Sequence, residues 1–271
     1  MKFIMFTKHL ESKAVPGLIK ALKSVGVEGA DLCVRPKYPV NPENAPSALP
    51  AAAKAFGAEG LSIPLITTPG DFTDPGIPYT EPLFAACREA GTGLIKLGYW
   101  TMEDGGYWAT VDRIRKRLDG FQRLAEKHGV RVCVHNHSGS TMGLNSCAVM
   151  NLVKGFDPRH VGVFADPGHL SLVGEPLPMA LDIVKEYLSI LAFKDVLRER
   201  TVTNGKPAWQ LKVVRLGSGF VDWTILLGLL KKMAYNGPVS FHSEYSGEPE
   251  DTVIDLARID VRFIKGLLAK I

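Results

Sequence analysis

Two histidines flank an asparagine in residues 132–138, VCVHNHS, where an apolar run stops. Side chains alternate along a strand, so His135 and His137 are expected on one side and Asn136 on the other. Such a pair can ligate a metal or move a proton near neutral pH; the plainer alternative is a polar residue that caps the strand. In FADPGHL, Asp166 follows an apolar run directly, and the Pro167–Gly168 pair predicts a turn that returns His169 over the same end. A carboxylate there can bind a divalent cation, orient a histidine or cap the next helix. FHSEY sets His242 and Glu244 at the same-face spacing of two. LAFKD offers Lys194 as an inward cation that can hold an enolate-like oxygen or pair with Glu244, while Asp195 faces away and ties down the next loop. Arg35 is the other basic group that could neutralise Glu244.

These groups need a frame that gathers strand ends. Short apolar runs at 3–6, 31–34, 62–67, 93–98, 131–135, 161–166, 190–195 and 239–244 read as strands. Between them lie apolar stripes at helical spacing, such as Val15, Leu18, Ile19, Leu22 and Val25 closed by Gly26, and Leu49, Ala52, Ala53 and Phe56 closed by Gly57. A third helix is expected to start at Pro82, a favoured first-turn residue. Eight strands alternating with eight helical stretches, and no linker-like composition break, predict a single (β/α)8 barrel domain over 1–271. A doubly wound open sheet is the alternative, but no GxGxxG follows the first strand. Barrel chemistry sits at the C-terminal strand ends, where this chain collects Thr7, Lys8, His9, Arg35, Lys96 and the residues above.

Aromatic residues crowd the same end. Trp100, Tyr107 and Trp108 follow the fourth strand, and Trp209 lies in the longest loop, where Asn204 and Gly205 predict a hairpin turn that would make a wall or lid. Ring faces beside a few polar groups suit a polyol, so Trp100, Trp108, Trp209, Arg35, Lys96, Arg215 and His242 are the expected substrate-binding residues; ordinary loop packing is the alternative for the aromatics.

Composition narrows the rest. A net charge of +4 without a dense basic cluster, apart from residues 113–117 on an expected exposed helix face, speaks against nucleic acid as partner. Cys33, Cys87, Cys133 and Cys147 show no CxxC spacing and read as buried thiols of a reducing compartment. Neither a signal peptide nor an apolar stretch long enough for a bilayer is evident, so the expectation is a cytoplasmic protein without a membrane partner.

With these motifs in place, VRVCVHNHSG, VGVFADPGHL, LAFKDV and RLGSGFVDWTILLGLLKKMAYNGPVSFHSEY, the chain resembles the xylose isomerase-like barrel superfamily of sugar isomerases and epimerases, which also includes endonuclease IV and myo-inosose dehydratase. The resemblance covers nearly the whole chain. It implies one divalent metal (Mn, Mg, Co or Zn) bound by Glu, Asp, His and Glu on strands five to eight. Asp166 and Glu244 match two of these ligands, and His169 matches the companion histidine. Two positions depart: His135 stands in place of the strand-five Glu, as in inosose dehydratase-like members, and Ala192 in place of the strand-seven His. The ligands implied here are therefore His135, Asp166 and Glu244, with Glu244, His137, His169 and Lys194 as catalytic groups. The implied activity is metal-assisted isomerisation or epimerisation of a sugar, keto-sugar or cyclitol through an enediolate. The alternatives are a dehydratase or lyase, favoured by the altered strand five, and a sugar- or partner-binding barrel that has lost catalysis. A DNA repair endonuclease would need more metal ligands and a more basic face. Association into a homo-oligomer is expected from barrels of this type.

Overall fold

In the computed structural model, which describes residues 1–271, eight parallel strands close into a barrel: β1 (Lys2–Phe6), β2 (Gly29–Cys33), β3 (Ser62–Thr67), β4 (Leu94–Lys96), β5 (Arg131–His135), β6 (Val161–Ala165), β7 (Leu188–Phe193) and β10 (Pro238–Phe241). Strand β10 pairs with β7 on one side and β1 on the other, so the sheet has no edge and the open-sheet alternative is excluded. A separate antiparallel hairpin, β8 (Asp195–Thr203) and β9 (Lys206–Val214), rises directly from the end of β7 with only Lys194 between. Its turn is the Asn204–Gly205 pair, both at positive φ (51° and 73°), as the sequence predicts.

Period-two alternation explains what the barrel holds. A cluster of 63 buried apolar residues fills the space between strands and helices, and a second, of Ile4, Leu65, Cys133, Phe164, Ile190 and Ala192, packs inside the strands. Two residues beyond Cys133, Phe164 and Ala192 stand His135, Asp166 and Lys194. The face that packs the barrel interior therefore ends, at its C-terminal rim, in titratable side chains.

The outer helices form for equally local reasons. Helix α9 (Glu250–Leu268) repeats Val253, Ile254, Ala257, Val261 and Ile264 on its buried face. Fully burying each large aliphatic chain contributes about 1.5–3 kcal/mol, which outweighs the ordering of a few rotamers. Two expectations shift. The third helix, α3 (Thr80–Ala90), starts two residues before Pro82, which sits inside the first turn where its missing N–H costs nothing. The expected turn after Asp166 is a short helix, α6 (Pro167–Leu172), with Asp166 as N-cap and Pro167 at its first position. No helix is long and apolar enough to cross a membrane. Cys33, Cys87 and Cys133 are buried, but Cys147 is exposed.

Candidate active site

The C-terminal ends of β6, β7 and β10 bring three expected residues onto one atom, the Nζ of a fourth, Lys194. The Lys194 ammonium donates to His169 Nε2 at 2.8 Å and to Glu244 Oε2 at 3.2 Å, and its Nζ lies 3.0 Å from Asp166 Oδ2. Lys194 is 3% exposed and Asp166 is fully buried, so these contacts are sheltered from water. Asp166 divides its two oxygens: Oδ1 accepts from the His169 backbone N–H at 3.0 Å, and Oδ2 faces Lys194 and, at 3.4 Å, His135 Nε2 without an aligned hydrogen bond. Asn136 points away from His135, as predicted, and clamps β5 to β6: its Oδ1 accepts from Asp166 N–H at 2.6 Å and its amide donates to the Asp166 carbonyl at 3.2 Å.

Hydrogen bonds fix the imidazoles. Because Lys194 can only donate, His169 Nε2 accepts and its Nδ1–H donates to Ser138 Oγ at 2.7 Å. His137 Nδ1 is 2.8 Å from the Ser138 carbonyl, which only accepts, so Nδ1 carries the proton and Nε2 keeps a lone pair that no side chain occupies. The His137 ring leaves the strand line and stacks on His169 with centroids 3.8 Å apart. His135 turns Nε2 toward the carboxylate, leaving Nδ1 to accept from Tyr99 OH at 2.9 Å.

Charge follows from these contacts. Burial is the chief cause that lowers all three imidazoles, His135 and His169 well below the usual range and His137 less so, with Lys194 adding to the effect at His137 and His169; all three are neutral at pH 7. Burial is the largest single influence and would raise Asp166 and Glu244, but Lys194 acting together with His169 and His135 at Asp166, and with His242 and Lys8 at Glu244, overcomes it and holds both well below the usual carboxylate range. Burial opposes the Lys194 charge in turn, and Asp166 and Glu244 outweigh it, raising Lys194. His242 rises against its burial because it sits between Asp31 and Glu244, 3.3 and 3.6 Å away.

A cavity of about 650 Å³ opens onto this cluster, lined by Lys8, His137, His169, Lys194, Trp209 and Glu244 among others. A depression of about 740 Å³ at the opposite, N-terminal end of the strands, lined by Pro64, Arg131 and Pro238, holds no comparable set of titratable groups. Of the expected substrate-binding residues, Trp209 stands in the cavity wall on β9. Trp100 does not: it is buried, and its Nε1–H donates to the Thr73 carbonyl, because an apolar ring at a strand end finds core before it finds solvent. Trp108 lies exposed on the first turns of α4 (Gly106–His128) against Tyr107, outside the cavity wall. Arg35 reaches the Thr68 carbonyl at 3.0 Å, and exposed Arg215 is outside the cavity wall. Lys96 is sealed beneath the mouth with its Nζ 3.7 Å over the Tyr99 ring and no hydrogen-bond partner; burial and then Arg35 bring it down to about 7.

Sequence reading placed Lys8 at the rim without a role and missed Asp31 and Tyr99. Lys8 pairs with Glu244 Oε1 at 2.7 Å. Asp31 lies inside β2 and accepts from Thr67 Oγ1 at 2.6 Å and Ser240 Oγ at 2.9 Å, besides facing His242. Tyr99 orients His135. Position at a strand end was a signal for Lys8; for Asp31, a carboxylate within an apolar strand was the available one.

The donor chemistry does not fit the expected metal centre. No group of three or more His, Cys, Asp or Glu side chains is arranged to hold a metal ion. Asp166 and Glu244 turn to the Lys194 ammonium, and His135 reaches only Asp166, so the expected ligand trio of His135, Asp166 and Glu244 does not converge on a common point. Ala192 is buried in the apolar interior below and brings no donor.

Structures similar to this one include 3-keto-D-glucoside 4-epimerase from E. coli (TM-score 0.74, 15% identity, covering 98% of this chain and 99% of that one). A xylose isomerase domain protein from Planctomyces limnophilus aligns at TM-score 0.75 and 17% identity over 100% and 98% of the chains. The probable 3-DHS dehydratase AsbF from Bacillus anthracis aligns at TM-score 0.73 and 13% identity over 98% and 99%. No curated protein matches the chain significantly in sequence. The model of the xylose isomerase-like TIM barrel family matches residues 19–266, and with the closed barrel and its rim of titratable strand ends this establishes that the chain belongs to that family.

Proposed function

We propose that this protein is an enzyme that abstracts a proton next to the carbonyl of a sugar, keto-sugar or cyclitol, in an isomerisation or epimerisation. The carrying observation is the pairing, in one cavity, of a neutral imidazole with an open Nε2 lone pair at His137 and a buried ammonium at Lys194. His137 Nε2 takes the proton from the carbon beside the carbonyl. The C–H electron pair becomes the C=C bond, and the carbonyl electrons move to oxygen. Lys8, with a single side-chain partner, retains donor capacity for that oxygen, and Lys194, whose hydrogens face His169, Glu244 and Asp166, adds the positive charge of its ammonium beside it. Return of the proton from the His137 imidazolium to the neighbouring carbon completes isomerisation, and protonation of the opposite face by water, with His137 releasing its proton to solvent, completes epimerisation.

Glu244 is a poor base in this arrangement, because two ammonium groups and His242 hold its proton affinity down. Its role is to position Lys8 and Lys194. His169 holds Lys194 from the other side. Trp209 supplies a ring face for the C–H side of a polyol. The epimerases among the similar structures support the substrate class. A dehydratase is the second reading, favoured by the single open imidazole and by the dehydratase among those structures. Both start from the same enediolate.

Incubation in D2O with a panel of ketoses, keto-sugars and inososes, read by mass spectrometry, tests the proton step. Deuterium entering the carbon beside the carbonyl is the expected result, and an epimer or an alkene product then separates the two readings. A panel without any exchange would favour the binding-protein alternative.

A further inference from the structure

We infer that Lys194 takes the place of a divalent cation in this site, so that the chain works without a metal and has a latent metal-binding site that the lysine blocks. The inference rests on reading this mouth as the reaction centre, but its readout is metal binding without substrate, so either can fail alone.

The argument begins with what surrounds Nζ. His169 Nε2 at 2.8 Å, Asp166 Oδ2 at 3.0 Å and Glu244 Oε2 at 3.2 Å all face it, with His135 Nε2 3.4 Å from the same Asp166 oxygen. One imidazole nitrogen and two carboxylate oxygens, from residue types that divalent transition metals accept as ligands, face Nζ, with the His135 nitrogen beside one of those oxygens. Here the donors are spread at hydrogen-bond distances around an ammonium, whereas zinc would draw its nitrogen and carboxylate ligands in to about 2.0–2.2 Å. A cation bound to those atoms would occupy the volume of Nζ itself.

Charge points the same way. Asp166 and Glu244 are the carboxylates that face Lys194 Nζ, and Lys194 and Lys8 are the ammonium groups that contact them. The positive and negative groups already match, and Lys96 and Arg35 stand nearby without a carboxylate partner. A divalent ion would add two uncompensated charges to a sheltered site. Removing the lysine reverses this, because Asp166 is left with an unbonded oxygen and Glu244 with one cation fewer. Lys194 is also the single residue between β7 and the β8–β9 hairpin, and Ala192 beneath it is apolar and fully buried, so no other side chain from β7 competes for the position.

Titration calorimetry with MnCl2 and CoCl2, on the full chain after chelation and dialysis, compares wild type with Lys194→Ala and Lys194→Met. Wild type is expected to show no saturable binding up to millimolar metal. At least one lysine variant is expected to bind one equivalent at least about 100-fold more tightly, and adding Asp166→Asn should abolish that binding. Thermal melts identify the variants that are folded. A wild type that takes up one equivalent of Mn2+ or Co2+ and loses it on Asp166→Asn would overturn the inference whatever the variants do. Folded lysine variants that bind no better than wild type would overturn it as well.

Discussion

Two fully buried aspartates at the rim of the barrel, Asp166 after β6 and Asp195 after β7, are used in opposite ways. Asp195 spends both oxygens on neutral donors: the backbone N–H groups of Val196, Gly217, Gly219 and Val221 and the Trp223 indole, at 2.9 to 3.1 Å. The glycine at 219 permits this wrap, since a Cβ there would lie 2.1 Å from Asp195 Oδ1. Asp166 spends one oxygen on its helix cap and leaves the other facing an ammonium and two imidazoles. A carboxylate saturated by backbone N–H groups organises a loop; one that keeps an oxygen among titratable groups is placed for chemistry.

The largest effect should come from the saturated side. Asp195→Ala orphans five donors, three of them buried, and is expected to lower stability by on the order of 3–5 kcal/mol, read by urea unfolding. A loss below about 1 kcal/mol would mean that water can replace the carboxylate and that the contrast is weaker than drawn.

Acid stability sharpens the other side. In wild type the folded pKa values of Asp166 and Glu244 lie well below the ordinary ones, so their stabilisation is complete above the ordinary carboxylate range, about pH 4, and is lost as pH falls toward the folded values. In Lys194→Met the main force lowering Asp166 is gone, and burial, which raises it, prevails. Unfolding free energies between pH 4 and 8 should then decline with rising pH in the variant, against a flat or rising profile in wild type. Parallel profiles would show that Lys194 does not control Asp166.

Trp209→Ala should have the mildest effect. The ring is 59% exposed on the hairpin, so melting should move by no more than about 1–2 °C, while a stacking role predicts a KM increase of about tenfold. An unchanged KM would return Trp209 to ordinary loop packing.

How far the sequence could be read follows from the physics at each residue. Period two was enough to place His135, Asp166 and Lys194 on one face, and the Asn204–Gly205 hairpin and the anchoring role of Asp195 follow from local chemistry. The Lys8–Glu244 pair joins residues 236 apart and exists only because β10 closes against β1. The metal ligands implied by resemblance failed to converge for a similar reason: which of several cations satisfies Asp166 and Glu244 depends on side-chain reach across four strands. Trp100 was misplaced because aromatic residues near a strand end suit a polyol site and a core equally well.

The most direct test of the account is the rate of deuterium wash-in to a reactive ketose in the presence of a chelator, for wild type beside His137→Gln. The account predicts that wild-type exchange persists in the chelator and that the variant loses about 10²–10⁴-fold while still folding. Exchange that the chelator abolishes, or that His137→Gln leaves intact, would contradict it.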